Sequence, residues 1–505
     1  PVRSRGENEM HVTPSRRSNG RPGAKRPGRL RAGLVGVAVL AGTTAVACGP
    51  PPTIEALEGD DVSADNLPDC PMGELDKATG VTNIVVWHAL GAEPAKALEE
   101  VTQAFNDSQD EVNVTLQNQG ADYSEVFRKY NAAAASGEGV PAVVYLEDTT
   151  IRTIIDTGTL FPAEACAEEV GFDLDSVQPA VRSAYTVDGV FYPGYVNVSG
   201  PIMFYNRSHF REAGLDVDSP PQTLAEVRSA AEKLKASGIE KPLALKLDPW
   251  FFTCWVNGVG EDIVLPDNGR SGAVTEANLN NEAGVETLQW IQDMVADGLA
   301  DPISNTPGQI NQYLNVAQEK SSMLIETSTA STSIKAFLGG DLDTGGQDAS
   351  SVDTGGLDPA ATPFPGLDQP GGVRVSGGYF GISNRVPKVQ QAAAAKYLGF
   401  MSQPDQVVAW HLVGSYLPVI GDVADDPRIQ KFWKEDRAGQ LLKVGYEQMA
   451  LIDPKRPGPL IGPYPEYTDI MQKTMESTAR SGASPEDALN KANEQMNAEL
   501  EQYYG

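Results

Sequence analysis

Strand-like and helix-like segments alternate along most of this chain, and that alternation constrains its fold more than any other feature. Ile84-Val85-Val86-Trp87-His88 is a short apolar run of the kind a buried strand makes. Residues 94–107 then place Ala97, Leu98, Val101, Ala104 and Phe105 at helical spacing. Residues 112–116 alternate like a strand, 123–135 form an Ala-rich helix stopped by Ser136-Gly137, and 142–146 form another buried strand. The pattern resumes after Pro201 with a strand at Ile202-Met203-Phe204-Tyr205 and a short helix at 209–214. A longer helix follows at 223–237, where Thr223 and Glu226 have capping-box spacing. A helix at 282–298, a strand at Met323-Leu324-Ile325 and helices at 391–401, 405–412 and 467–504 complete the body. Such alternation predicts an α/β fold of parallel layers. Two such halves, with chain crossing between them, place a ligand cleft at their interface.

The beginning of the chain assigns a compartment. Residues 1–48 carry nine basic and two acidic side chains. An apolar run of sixteen residues, 32–47, precedes Cys48. It is shorter than the roughly 20 residues that span a bilayer, and reads as a secretory signal over residues 1–47. Ala45-Val46-Ala47-Cys48 resembles a bacterial lipobox, which implies a diacylated Cys48 and a protein held on the extracytoplasmic face of the cell membrane by its lipid alone. Residues 48–80 read as the lipidated Cys and a flexible tether. In that oxidising compartment Cys70 and Cys166, in similar polar, Pro-flanked settings, are expected to pair. Cys254, among Trp250, Phe251, Phe252 and Trp255, is expected to be a buried thiol.

The remainder of the chain holds 30 basic against 66 acidic side chains, which argues against nucleic acid as a partner. Three His remain there, so a His-rich metal site is not expected. No GxSxG elbow, GxxxxGK[ST] phosphate loop, HExxH or paired CxxC is present. No catalytic residue, cofactor or metal is assigned. A secreted carbohydrate-active enzyme is the alternative, since acidic pairs are abundant.

The segment Phe204-Tyr205-Asn206-Arg207-Ser208-His209-Phe210-Arg211-Glu212-Ala213-Gly214-Leu215, with Pro220-Pro221-Gln222-Thr223-Leu224, resembles the extracellular solute-binding proteins of carbohydrate-type ABC importers. So does Lys396-Tyr397-Leu398-Gly399-Phe400-Met401-Ser402-Gln403-Pro404, continuing to Tyr416-Leu417-Pro418. The resemblance covers roughly residues 81–500. It implies a two-lobed periplasmic-binding-protein-like fold, with crossings near Ser199, Ser376 and Ser415. Lobe one would be 81–198 plus 376–414, and lobe two 199–375 plus 415–505. It further implies a monomer that delivers one small solute to ABC permease subunits.

Within that family, Val86-Trp87-His88-Ala89-Leu90-Gly91, Asn197-Val198-Ser199-Gly200-Pro201 and Gly462-Pro463-Tyr464 are similar to the glycerol-3-phosphate- and glycerophosphodiester-binding branch of Ugp-type importers. The similarity carries ligand contacts onto Tyr123, Asp148, Ser199, Gly378 and Tyr416, an aromatic contact onto Trp250, and a hydroxyl contact onto Ser328 or Thr329. The solute implied is a saccharide, glycerol-3-phosphate or a glycerophosphodiester. Leu460 stands where that branch carries an Arg that grips phosphate, and Arg456 lies four residues upstream as a substitute cation. The residue types suit a polyol: Asp148 accepts hydrogen bonds from hydroxyls, and aromatic faces cover C–H surfaces. Asp148→Ala is expected to weaken binding without unfolding the protein.

Overall fold

Apolar runs that read as buried strands do form them. In a computed structural model of the chain, described for residues 62–306, 310–339, 356–371 and 373–505, two mixed sheets lie side by side. The signal, Cys48, residues 49–61 and most of the Gly- and Asp-rich 339–356 stretch lie outside the described residues. Eleven strands build the two sheets: β1 (Thr82–His88), β2 (Val112–Asn118), β3 (Val143–Glu147), β4 (Leu160–Phe161), β5 (Tyr195–Ser199), β6 (Pro201–Asn206), β7 (Leu243–Leu247), β8 (Ala300–Ser304), β9 (Met323–Thr327), β10 (Pro359–Pro363) and β11 (Ser376–Ser383).

In the first sheet β2, β1 and β3 run parallel, and β11 lies antiparallel to β3. The other edge of β11 pairs antiparallel with β5 and, at its end, with β4. In the second sheet β8, β7 and β9 are parallel, while β6 runs antiparallel to β9 and to β10. The layers are therefore mixed, where strict alternation had predicted parallel ones. The antiparallel members are the strands flanking the passages between sheets, and these strands run against the direction set by the βαβ crossovers.

The crossings lie together. The first sheet ends at Ser199 and the second begins at Pro201, so Gly200 is the first crossing. Ser376 opens β11 directly opposite Ser199, and the Ser199 hydroxyl donates to the Ser376 carbonyl at 3.3 Å. The third passage follows Ser415, which ends helix Pro404–Gly414 in a left-handed turn at φ 65°. The Leu417 amide then donates to the Val198 carbonyl at 2.9 Å. Helix Leu224–Ala236 begins with the capping box read from Thr223 and Glu226.

Two large apolar clusters correspond to the two sheets. The division expected at residue 415 is corrected here. Leu417, Ile420, Val423, Ile429 and Trp433 join the cluster of the first sheet, because the chain after Ser415 lies against helix Pro404–Gly414 before it reaches the second sheet in helix Arg437–Met449. The stretch expected to be tether is also shorter than residue 80. Helix Met72–Asp76 packs on helix Lys388–Met401, Leu75 is buried in the first cluster, and Cys70 is bonded to Cys166. A buried Leu and a cross-link hold this segment against the body where composition alone indicated solvated chain. Cys254 is a buried free thiol whose pKa burial raises to about 12.

Candidate functional site

The carboxyl ends of β3, β7 and β9 bring charged side chains of both sheets together. This is where open α/β sheets hold ligands. Glu147 ends β3, and Asp148 begins the 3-10 turn that follows it. Across from them Lys246 lies on β7, Asp248 caps helix Pro249–Gly258, and Glu326 lies on β9.

Asp148 is buried and bonded through both carboxylate oxygens. Its Oδ2 accepts from the Arg374 guanidinium at 2.5 Å, and its Oδ1 accepts from the Ser376 hydroxyl at 2.6 Å and the Gly377 amide at 3.3 Å. Arg374 Nη1 donates to the Tyr464 hydroxyl at 3.2 Å. Burial opposes the Arg374 charge, but the Asp148 carboxylate outweighs it and raises the pKa. Arg374 lies two residues before β11, so this ion pair joins the end of β3 to the second crossing. Removing Asp148 strands a buried guanidinium, so Asp148→Ala is expected to lower stability as well as to weaken binding.

Beside it stand three tyrosines. The Tyr123 and Tyr145 hydroxyls lie 3.0 Å apart, Tyr145 donates to Tyr416 at 3.3 Å, and Asn197 Nδ2 donates to Tyr145 at 3.4 Å. Burial first, then the neighbouring hydroxyls, raises the pKa of Tyr123 and Tyr145, so the cluster consists of neutral donor-acceptors. Gly378 belongs here for a different reason from the one expected. A Cβ on Gly378 would overlap the Tyr145 ring, so the glycine makes room for that ring. Gly377, at φ 157°, allows the backbone of β11 to approach the Asn197 carbonyl closely.

On the opposite side Lys246 contacts Asp248 at 3.1 Å and Glu326 at 3.7 Å. Burial opposes its charge, and Glu326 and then Asp248 restore and raise its pKa. Glu147 is pushed up to about 7 by burial and then by the Asp148 charge. The Trp250 amide donates to Asp248 Oδ1 at 3.0 Å, and its half-buried ring starts the aromatic series of that helix.

Of the residues expected to meet ligand, the structure brings Tyr123, Asp148, Gly378 and Tyr416 into one cluster, with Ser199 at the adjoining crossing. Trp250 lies on the facing helix terminus. Ser328 adjoins the same crossing as Ser199: it is buried, and its hydroxyl accepts from the Gly200 amide at 3.3 Å. Thr329 is only partly buried and donates to Thr327 Oγ1 at 3.3 Å. Arg456 turns away, donating to the Gly260 carbonyl and to Asp262 at 3.2 Å. Leu460 is buried, and its amide donates to the Asn268 carbonyl at 2.8 Å.

Two arginines escaped the sequence reading. Arg374 could have been noticed as a lone charge in Val373-Arg374-Val375, separated by one residue from the pair Gly377-Gly378. Arg270 has no comparable signal. Its guanidinium donates to the Gly458 carbonyl at 2.8 Å and, across to the first lobe, to Ala184 at 3.1 Å, Thr186 at 3.2 Å and Ser183 at 3.5 Å. Burial, and then Arg374, lower its pKa to about 10. It caps the last turn of helix Pro179–Tyr185, whose carbonyls have no partner within the helix. Thr153 donating to the Gly462 carbonyl at 2.5 Å and Tyr503 donating to Asp156 at 2.7 Å also join the lobes.

Two α/β lobes joined by three adjacent crossings, with a polar seam between strand ends, define the architecture of two-domain solute-binding proteins. Residues 100–438 match the bacterial extracellular solute-binding protein family, and the chain belongs to it. It is similar to the sn-glycerol-3-phosphate-binding periplasmic protein UgpB of Escherichia coli strain K12, 24% identical over 440 residues that cover 85% of this chain and 95% of the relative. Among solved structures, UgpB from Mycobacterium tuberculosis in complex with glycerophosphocholine superposes with a TM-score of 0.68 at 20% identity, covering 84% of this chain and 99% of that one. The cyclic alpha-maltosyl-1,6-maltose binding protein from Arthrobacter globiformis gives 0.67 at 22% identity, covering 84% and 100%. Among the described residues no helix is long and apolar enough to cross a membrane.

Proposed function

We propose that this protein is the substrate-binding lipoprotein of an ABC importer. It captures a sugar or glycerol-phosphate-type solute between its lobes and delivers it to the permease, without turning it over. The observation that carries this reading is the shared seam: Asp148 from the first lobe, Arg374 at a crossing and Tyr464 from the second form one bonded set. A solute bound against such a set contacts both lobes, and favours their closure by hinge motion at the crossings. Tyr123, Asp148, Ser199, Trp250, Ser328, Gly378 and Tyr416 are the proposed ligand-binding residues. The names of the relatives support the solute classes. Anchoring through a diacylated Cys48, an extracytoplasmic location on the cell membrane and a monomeric state belong to the same proposal.

A thermal-shift screen with neutral saccharides, polyols, glycerol-3-phosphate and glycerophosphocholine tests it, followed by mass analysis of the recovered solute. A ligand at 100 times its Kd adds about 2.7 kcal/mol. The reading predicts stabilisation by at least one probe, recovered unchanged. Turnover of that probe, or no stabilisation by any of them, overturns it.

A further inference from the structure

Helix Pro485–Tyr504 belongs to the second lobe, where its Leu489, Ala492, Met496 and Leu500 are buried in the core. Its last turn also reaches the first lobe. The Tyr503 hydroxyl donates to Asp156 Oδ2 at 2.7 Å, and the Tyr504 hydroxyl accepts from the Gly462 amide at 3.0 Å. The Gly462 carbonyl in turn accepts from the Thr153 hydroxyl of the first lobe at 2.5 Å. A Cβ on Gly462 would overlap the Tyr503 ring, so the glycine seats that ring. The two tyrosine rings meet edge to face, with centroids 4.8 Å apart.

The receiving side is fixed in advance. Thr153 and Asp156 lie on helix Ile151–Asp156, whose Ile151, Ile154 and Ile155 are buried in the core of the first lobe. Arg152 holds Asp156 at 2.6 and 3.0 Å, and its Nη1 donates to Asp188 Oδ2 at 2.7 Å. The Arg152 and Asp156 side chains are only 26% and 23% exposed. A carboxylate already oriented by a guanidinium loses little further freedom when a hydroxyl from the other lobe docks on it.

Position decides what these bonds do. The Asp148–Arg374 pair lies at the second crossing, where hinge rotation displaces atoms least. The turn and helix after Asp148 carry Asp156 up to roughly 12 Å from it. At that reach a lobe rotation of about 15° moves the Asp156 carboxylate by about 3 Å, enough to break its bond to Tyr503. The Tyr503 and Thr153 bonds therefore belong to one relative setting of the lobes, whereas the pair at the crossing survives in others.

We propose that Tyr503, Tyr504 and Gly462 form a latch that engages Thr153 and Asp156 and holds the lobes closed. They are positioning residues, acting on a bound solute through the setting of the lobes. This rests on the lobe-closure reading above and adds to it a control of how long the solute stays. Arg270 joins the lobes by separate bonds to the Ala184 and Thr186 carbonyls, so losing the latch loosens the closed setting without abolishing it.

Tyr503→Phe deletes one hydroxyl and keeps the ring, and Gly462→Ala displaces the ring by a different route. Each full-length variant is compared with wild type in three ways. X-ray scattering and amide exchange at residues 151–157 are measured without solute, and stopped flow follows dissociation of maltose or glycerophosphocholine. The expected result is a larger radius of gyration, faster exchange at 151–157 and dissociation about three- to tenfold faster, the scale of one hydrogen bond. Melting temperatures should stay within about 2 °C of wild type. A lower melting temperature with wild-type radius and dissociation would mean a merely structural contact and overturn the latch. Wild-type values of all three readouts in both variants would also overturn it. If neither probe binds the wild type, the solute reading fails for these probes, while radius and exchange still decide whether the lobes are latched.

Discussion

Asp148→Ala should destabilise the protein in the absence of any ligand. The substitution removes the carboxylate facing Arg374, a side chain only 3% exposed, whose remaining partner is the neutral Tyr464 hydroxyl. It also leaves the Ser376 hydroxyl and Gly377 amide without their acceptor. Breaking a buried pair from one side costs about 3–5 kcal/mol. An unfolding entropy of about 2.1 cal/mol/K per residue, over roughly 440 folded residues, gives about 0.9 kcal/mol/K. The melting temperature should then fall by about 3–5 °C. Arg374→Met alone should cost a similar amount by stranding the carboxylate. The double variant removes both charges, so its loss should be smaller than the sum of the singles by about 2 kcal/mol or more. Scanning calorimetry on the four proteins measures this directly. An Asp148→Ala midpoint within about 1 °C of wild type, or strict additivity in the double variant, would refute the claim that these two charges form a structural pair.

The dependence on pH has two opposed parts. Glu147 titrates near 7 when folded against 4.5 unfolded, because of burial and then Asp148, so its contribution to stability declines as pH rises across that interval. Glu147→Gln should flatten the decline and melt above wild type at pH 8; an unchanged profile would contradict this. His411 is lowered from 6.5 to about 4 by burial, with Trp433 donating to its Nε2 at 2.8 Å. The unfolded chain therefore takes up the proton first, and stability is lost as pH falls from 6.5 to 4; His411→Gln should reduce that loss in a series of melts. Arg270→Met should release the last turn of helix Pro179–Tyr185, at a cost of up to about 2 kcal/mol. Amide exchange at 183–187 should rise, Arg270→Lys should recover part of the protection, and unchanged exchange would count against the cap. Replacing Cys70 and Cys166 together by Ser should cost about 2–4 kcal/mol and open residues 62–80 to limited proteolysis, which the intact protein resists.

Local elements were largely legible in the sequence, because hydrophobic periodicity and capping residues act over a few positions. The runs at 84–88 and 142–146 form β1 and β3, and Thr223 with Glu226 opens the helix they mark. Asp148, Tyr123 and Tyr416 were accessible through resemblance to a family. Their partners were not. Tyr145 reads as one more apolar strand residue, and its hydroxyl gains meaning only when β11 brings Gly378 under its ring. Arg374 meets Asp148 across 226 positions of sequence. Arg270 reaches helix Pro179–Tyr185 only after the lobes are side by side. Pairings of that range arise from sheet topology, which no local pattern encodes. The same limit hides the partner of Ser328: a hydroxyl in a run of Ser and Thr gives no sign of facing the Gly200 amide.

Hydrogen exchange with and without a saturating concentration of a solute that stabilises the protein in the thermal-shift screen tests most directly whether one solute is held by both lobes. The structure predicts simultaneous protection of the backbone near Tyr123, Asp148 and Asn197 in the first lobe, near Trp250 and Tyr464 in the second, and at the crossings around Ser199, Ser376 and Tyr416. Protection confined to one lobe, or located away from the crossings, would contradict a solute site shared across the seam.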